Sequence, residues 1–152
     1  MPHKKILVVG TGNILMADEG FGPSMIKELA KEVLPAGVEL LDAGTAGLDS
    51  AVLSDKYDKA VIIDTIKAGG SAGDMYRFRP QDIKQKKPLE LSLHQASLID
   101  SINMLKITED APKDIIILAV EPRDLSMKMG LSETLKGKIP EMKRLVMEEI
   151  KK

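Results

Sequence analysis

The chain has 152 residues, 43% of them hydrophobic and 30% charged, with a formal net charge of -1 and no cysteine. That length suits one domain with a proper core, residues 1–152 together, and the near-neutral balance supplies no bulk attraction to nucleic acid or to an acidic membrane. Without cysteine, disulfides, thiolate metal sites and cysteine nucleophiles drop out together.

The amino terminus, Met1-Pro2-His3-Lys4-Lys5, leads into an apolar run of only about five residues, too short for a signal-peptide core or a membrane span. A cytoplasmic protein without nucleic-acid or membrane partners is therefore expected. Ile6 to Val9 is wholly apolar and mostly β-branched, the character of a strand buried on both faces, and it reads as the first and central strand. Gly10-Thr11-Gly12 turns the chain at its carboxyl end, Gly20, Gly22 and Pro23 mark the next helix start, and Asp18 and Glu19 are held between them at the mouth of a sheet. A dinucleotide fingerprint would need its third glycine at Leu15, and two acids would repel a pyrophosphate. No Gly-Lys-Ser/Thr follows either, so a P-loop is excluded.

Pro23 to Leu34 spaces Ile26, Leu29, Ala30, Val33 and Leu34 as one helix face, and Pro35-Ala36-Gly37 stops it. Val38 to Leu41 is a short second strand running into Asp42-Ala43-Gly44-Thr45-Ala46-Gly47. Leu48 to Leu53 suits a brief helix, and Lys59 to Asp64 is a third buried strand that again ends on an acid. The connection Lys67 to Gly73 is too short for a helix, so Asp74 to Arg79 is expected to return antiparallel to the third strand as a hairpin.

Pro80 to Pro88 is polar, with Lys84, Lys86 and Lys87 forming a solvated face. Ser92 can cap a helix carrying Leu98, Ile99, Ile102, Leu105 and Ile107, with His94 near its start. Ile115 to Val120 is the fifth strand, and Ser132 to Ile150 the last helix, kinked or restarted at Pro140. Strands alternating with helices predict an α/β fold, a three-layer sandwich with a five-stranded, mostly parallel sheet, one strand antiparallel, flanked by helices. With strands ordered 2-1-3, the loops after strands one and three flank the switch point, and Glu19 and Asp64 fall on them.

Glu19, Asp64 and His94 offer two carboxylates and one imidazole, a set suited to a borderline divalent ion such as zinc or nickel. Each also has a plainer reading as a helix cap or local ion-pair partner. Spacing does not separate Asp18 from Glu19, and Asp42 also suits the role of acceptor for its own glycine turn. Gly69-Gly70-Ser71-Ala72-Gly73 matches a nucleophile elbow with His94 as base, but the strand ends at Asp64 and a strand follows, so the required strand-serine-helix context is missing.

The pattern Gly10-x-Gly12-Asn13-x-Leu15-x-x-Asp18-Glu19-Gly20-x-Gly22, the turn Asp42 to Gly47, Asp64 ending strand three and His94-Gln95 after it resemble the nickel-iron hydrogenase maturation endopeptidases along nearly the whole chain. The resemblance implies an endopeptidase, aspartic-type in its reliance on acids, that trims a carboxyl-terminal extension from a hydrogenase large-subunit precursor after nickel insertion. It also implies that the metal-binding and catalytic residues are Glu19, Asp64 and His94, without an organic cofactor and in a monomer. One histidine and two carboxylates hold a divalent ion weakly, so the nickel is expected to arrive with the precursor. The competing expectation is a non-catalytic metal- or nucleotide-binding α/β module, which would need a ligand cavity closed by its own side chains.

Overall fold

The computed structural model describes residues 3–46, 48, 52–85 and 102–152. Five strands form one sheet: β1 (Ile6–Thr11), β2 (Val38–Gly44), β3 (Lys59–Thr65), β4 (Met75–Phe78) and β5 (Asp114–Val120), in the order β2-β1-β3-β5-β4. β1 runs parallel to both β2 and β3, β3 runs parallel to β5, and only β4 is antiparallel. The helices are α1 (Phe21–Leu29), α2 (residues 102–107), α3 (Glu133–Lys136) and α4 (Ile139–Lys151), with 3-10 turns at Ala17–Gly20 and Pro80–Gln85.

Burial on both faces explains the sheet. Successive side chains of a strand point to opposite sides, so Ile6, Val8, Val61, Ile63, Ile116 and Leu118 meet Phe21, Met25 and Leu29 of α1 and Met142, Val146 and Ile150 of α4. Their neighbours Leu7, Val9, Ala60, Ile62, Ile115 and Ile117 pack with Leu53, Tyr57, Ile102 and Leu105 on the other side. Three layers follow directly, because β1, β3 and β5 have no polar face to present to water.

Four expectations are corrected in detail. β3, not β1, is the middle strand, since β5 occupies the free edge of β3. For the same reason β4 pairs with β5, Met75 beside Val120 and Phe78 beside Ile117, rather than forming a hairpin with β3. The first helix stops at Leu29 instead of Leu34, leaving Val33 96% exposed. Asp64 is the penultimate residue of β3, not a loop residue. The last helix does restart: Ser132 caps α3 by accepting from the Leu135 N–H, and α4 begins at Ile139 with Pro140 in its first turn, where a missing N–H costs nothing. Among the described residues no helix is long and apolar enough to cross a membrane.

At the base of the sheet, Glu149 of α4 is buried against Lys59 at the start of β3 (Nζ to Oε1 2.9 Å) and against Arg77 of β4 (Nε to Oε2 2.6 Å). Arg79 pairs with Asp114 at 2.8 Å beside them. Burial alone would raise the Glu149 carboxyl, but hydrogen bonds from Arg77, Lys59 and Lys152 outweigh it and hold it at about 2. This network ties α4 to the amino ends of the strands, opposite the end where the candidate site forms.

Candidate functional site

The site is built on a close approach of backbone to backbone at the carboxyl ends of β1 and β3. α1 lies so near the sheet that a Cβ on Gly22 would come within 2.3 Å of the Thr11 carbonyl oxygen and 2.6 Å of that of Ile63. Only glycine permits that contact. It lowers the preceding 3-10 turn, and Glu19 with it, onto the strand ends.

Gly12 lies where the Glu19 turn and β3 come together. Its φ is +138°, and a Cβ there would strike the Glu19 carbonyl oxygen at 1.9 Å while standing 3.6 Å from Asp64 Oδ1. Hence the backbone of the Glu19 turn and the Asp64 carboxylate both come close to Gly12. The next loop joins here too: the Gly12 N–H donates to the Gly44 carbonyl at 2.9 Å, and Asp42 Oδ1 accepts from the Gly44 N–H at 2.9 Å. Asp42 therefore serves its own turn, holding Gly44 at φ +54°.

Asp64 is buried and oriented. Oδ2 accepts from Thr11 Oγ1 at 2.7 Å and Oδ1 from the Thr65 N–H at 2.7 Å. These bonds orient the carboxylate. Glu19 is half-buried, and among the described residues its carboxylate makes no hydrogen bond or ion pair. His94, with Lys86, Lys87 and the part of the expected helix before residue 102, lies outside the described residues; the end of that helix is α2, with Ile102 and Leu105 buried. Among the described residues no three His, Cys, Asp or Glu side chains form a metal-holding group.

Asp18, next to Glu19 in sequence, does entirely different work. It is fully buried; Oδ2 accepts from the N–H groups of Arg123 and Asp124 and from Ser132 Oγ, each at 2.9 Å, and Oδ1 from the Ser132 N–H at 2.7 Å. Its own N–H donates to the Asp124 carbonyl at 2.9 Å, and that of Ala17, at φ +47°, to the Lys128 carbonyl at 2.8 Å. Asp18 thus clamps the loop after β5 to the loop after β1. Within the clamped loop, the Asp124 carboxyl is held at about 2, first by the Ser126 backbone N–H, then by the Ser126 hydroxyl and Lys128.

Glu121 does the same for the loop after β3, accepting from the N–H groups of Ala68 and Gly70, each at 3.0 Å, and from Tyr76 Oη at 2.8 Å. Burial, then this bond, pushes the Tyr76 phenol up to about 12. Ser71 sits in the turn these bonds fix, its N–H donating to Asp74 Oδ2 at 2.8 Å, with β4 following and no helix. It has no elbow geometry. The roles of Thr11, Glu121 and Ser132 were not read from sequence; only the serine, at the start of a helical pattern, carried a visible signal, and that signal was for a cap.

A cleft of about 780 Å³ lined by Tyr57, Lys106, Glu109 and Lys113 lies at the amino ends of β3 and β5, away from both acids.

Comparison with known proteins bears on the family and the fold. A family model described as hydrogenase maturation protease matches residues 23–149. The hydrogenase 2 maturation protease of Escherichia coli K12 is 34% identical over 137 residues, covering 89% of this chain and 84% of that protein. Hydrogenase expression/formation protein HupD of Bradyrhizobium diazoefficiens is 32% identical over 123 residues, covering 80% of this chain and 64% of that longer protein. The solved structure of the hydrogenase maturating endopeptidase HybD from E. coli superposes with a TM-score of 0.85 at 31% identity, covering 97% of this chain and 92% of that one.

Proposed function

The chain belongs to the hydrogenase maturation protease family, and from that premise we propose that it removes the carboxyl-terminal extension of a nickel-iron hydrogenase large-subunit precursor after nickel insertion. In this reading Glu19, Asp64 and His94 recognise the inserted nickel, which is part of the substrate and not a resident cofactor. The observation that supports it is the approach of the Glu19 turn and the Asp64 carboxylate to Gly12 at the carboxyl ends of β1 and β3, where a single Cβ would meet the Glu19 carbonyl oxygen at 1.9 Å and stand 3.6 Å from Asp64 Oδ1. Oxygen donors of this kind, joined by the imidazole of His94, suit nickel, and two carboxylates with one imidazole are too few strong ligands to retain it alone.

The hydrolysis is of the aspartic type in this proposal. The chain has no cysteine, and Ser71 is held in a turn without a base-bearing helix behind it. Water attacks the scissile carbonyl while a carboxylate of the pair takes its proton. That proton passes to the departing amide nitrogen as the C–N bond breaks. Thr11 keeps the Asp64 carboxylate aimed throughout, donating at 2.7 Å. Bound nickel would mark the finished precursor and fix the peptide bond against the two acids.

The test uses metal-free enzyme with nickel-loaded and nickel-free precursor, in a chelator too weak to strip the precursor. Cleavage of the loaded form alone is expected. Equal cleavage of both forms, or activity that requires metal added to the enzyme, would overturn the proposal.

A further inference from the structure

The described residues include seven large apolar side chains exposed to water, and four of them, Ile14, Leu15, Met127 and Met129, lie on the two loops that Asp18 clamps together. Met127 and Met129 are 84% and 70% exposed, Leu15 55% and Ile14 48%. Met16 pairs with Lys128 in an isolated parallel bridge, which brings the two segments that carry these residues side by side as one patch. Ile14 borders the Glu19 turn, its Cα standing 3.0 Å from where a Cβ of Gly20 would be.

Two properties distinguish this patch from stray surface apolar groups. It is continuous with the candidate site, because Gly20 directly follows Glu19. It is also held rigid, since the buried Asp18 carboxylate takes four hydrogen bonds from residues of the 123–132 segment, and the Lys128 carbonyl accepts from Ala17. Contiguous apolar surface kept in water marks an interaction site, and methionine's flexible, polarisable side chain adapts to an apolar partner. Rigid presentation lowers the ordering cost of binding.

We infer that Ile14, Leu15, Met127 and Met129 are the docking rim for the protein substrate, seating an apolar stretch of the precursor beside the bond to be cut. This rests on the proposed function, whose own requirement is that a folded polypeptide lie across the Glu19 loop. The rim supplies the affinity that two carboxylates facing a nickel ion do not supply alone.

Steady-state processing of a nickel-loaded large-subunit precursor by the full chain tests it. Met127→Ser/Met129→Ser is expected to raise KM about tenfold with kcat within about twofold of wild type. Met127→Leu/Met129→Leu is expected to restore KM. Val33→Ser, an exposed apolar position on the segment after α1, should change neither constant. Should the serine pair unfold, Met127→Gln alone, at the most exposed rim position, is expected to raise KM about threefold. KM unchanged in the serine pair, while wild type cleaves normally, overturns the docking rim and leaves the proposed function standing. Failure of wild type to cleave the precursor overturns the function itself, and the rim with it. A wild-type dimer that the serine pair dissociates without raising KM gives the patch to a second copy of this chain and overturns the assignment.

Discussion

Replacing Asp18 with asparagine keeps the size of the side chain and removes its charge and one acceptor. The asparagine carbonyl would take the place of Oδ2, where it meets three donors, the N–H groups of Arg123 and Asp124 and the hydroxyl of Ser132, each at 2.9 Å. Its amide nitrogen then faces the Ser132 N–H, which donates to Oδ1 at 2.7 Å in the native chain, donor against donor. One buried N–H left unpaired costs about 1–3 kcal/mol, and the three remaining bonds lose their charge assistance, so the expected loss is about 3 kcal/mol. For a chain of this length that lowers the melting temperature by about 6–12 °C. Asp18→Ala, which removes all four acceptor contacts, should cost about 5 kcal/mol. Urea unfolding with an unchanged m-value is the assay, run beside Glu19→Gln, whose carboxylate has no hydrogen-bond partner among the described residues and whose loss should cost under about 0.5 kcal/mol. Asp18→Asn within about 0.5 kcal/mol of wild type would refute the clamp.

Glu19→Gln, Asp64→Asn and His94→Ala should each abolish precursor processing; calorimetry should find Glu19→Gln unchanged and Asp64→Asn about 1–2 kcal/mol less stable, because Asp64 is buried and hydrogen-bonded to Thr11. Gly12→Ala should lose both activity and more than about 2 kcal/mol, since φ +138° and the Glu19 carbonyl at 1.9 Å exclude a methyl; a crystal structure of an active, unshifted Gly12→Ala variant would contradict this. The Glu149 carboxyl, held at about 2 against an ordinary 4.5, contributes stability fully present above about pH 4.5 and lost as the pH falls from there through 2. That contribution is on the order of 3 kcal/mol, and Glu149→Gln should flatten the urea midpoint between pH 5 and pH 3.

The fold was legible where the signal is local. Apolar runs such as Val61-Ile62-Ile63 and Ile115 to Val120 can only be strands buried on both sides, and Pro140 can only sit at a helix start or a kink, so the sandwich and the restart of α4 at Ile139 follow from residues near one another. Glycines before and after the acid pair likewise placed Glu19 at a strand mouth. The partner of β4 was not legible, because a short connection permits a hairpin without requiring one; the deciding fact is that β5, buried from Ile115 to Val120, takes the free edge of β3 and needs β4 on its other edge to pair its backbone groups. The two adjacent acids show the same limit at the site. Asp18 and Glu19 are equivalent in sequence, and what separates them is long-range. Ala17 turns the backbone to φ +47°, so one carboxylate points inward to Arg123, Asp124 and Ser132, more than a hundred residues later, and the other is left half-buried with no hydrogen bond among the described residues. Sequence alone determined that this turn carries charge at the end of a buried strand; the tertiary structure decided which charge is structural, because a buried carboxylate is stable only where enough donors converge on it.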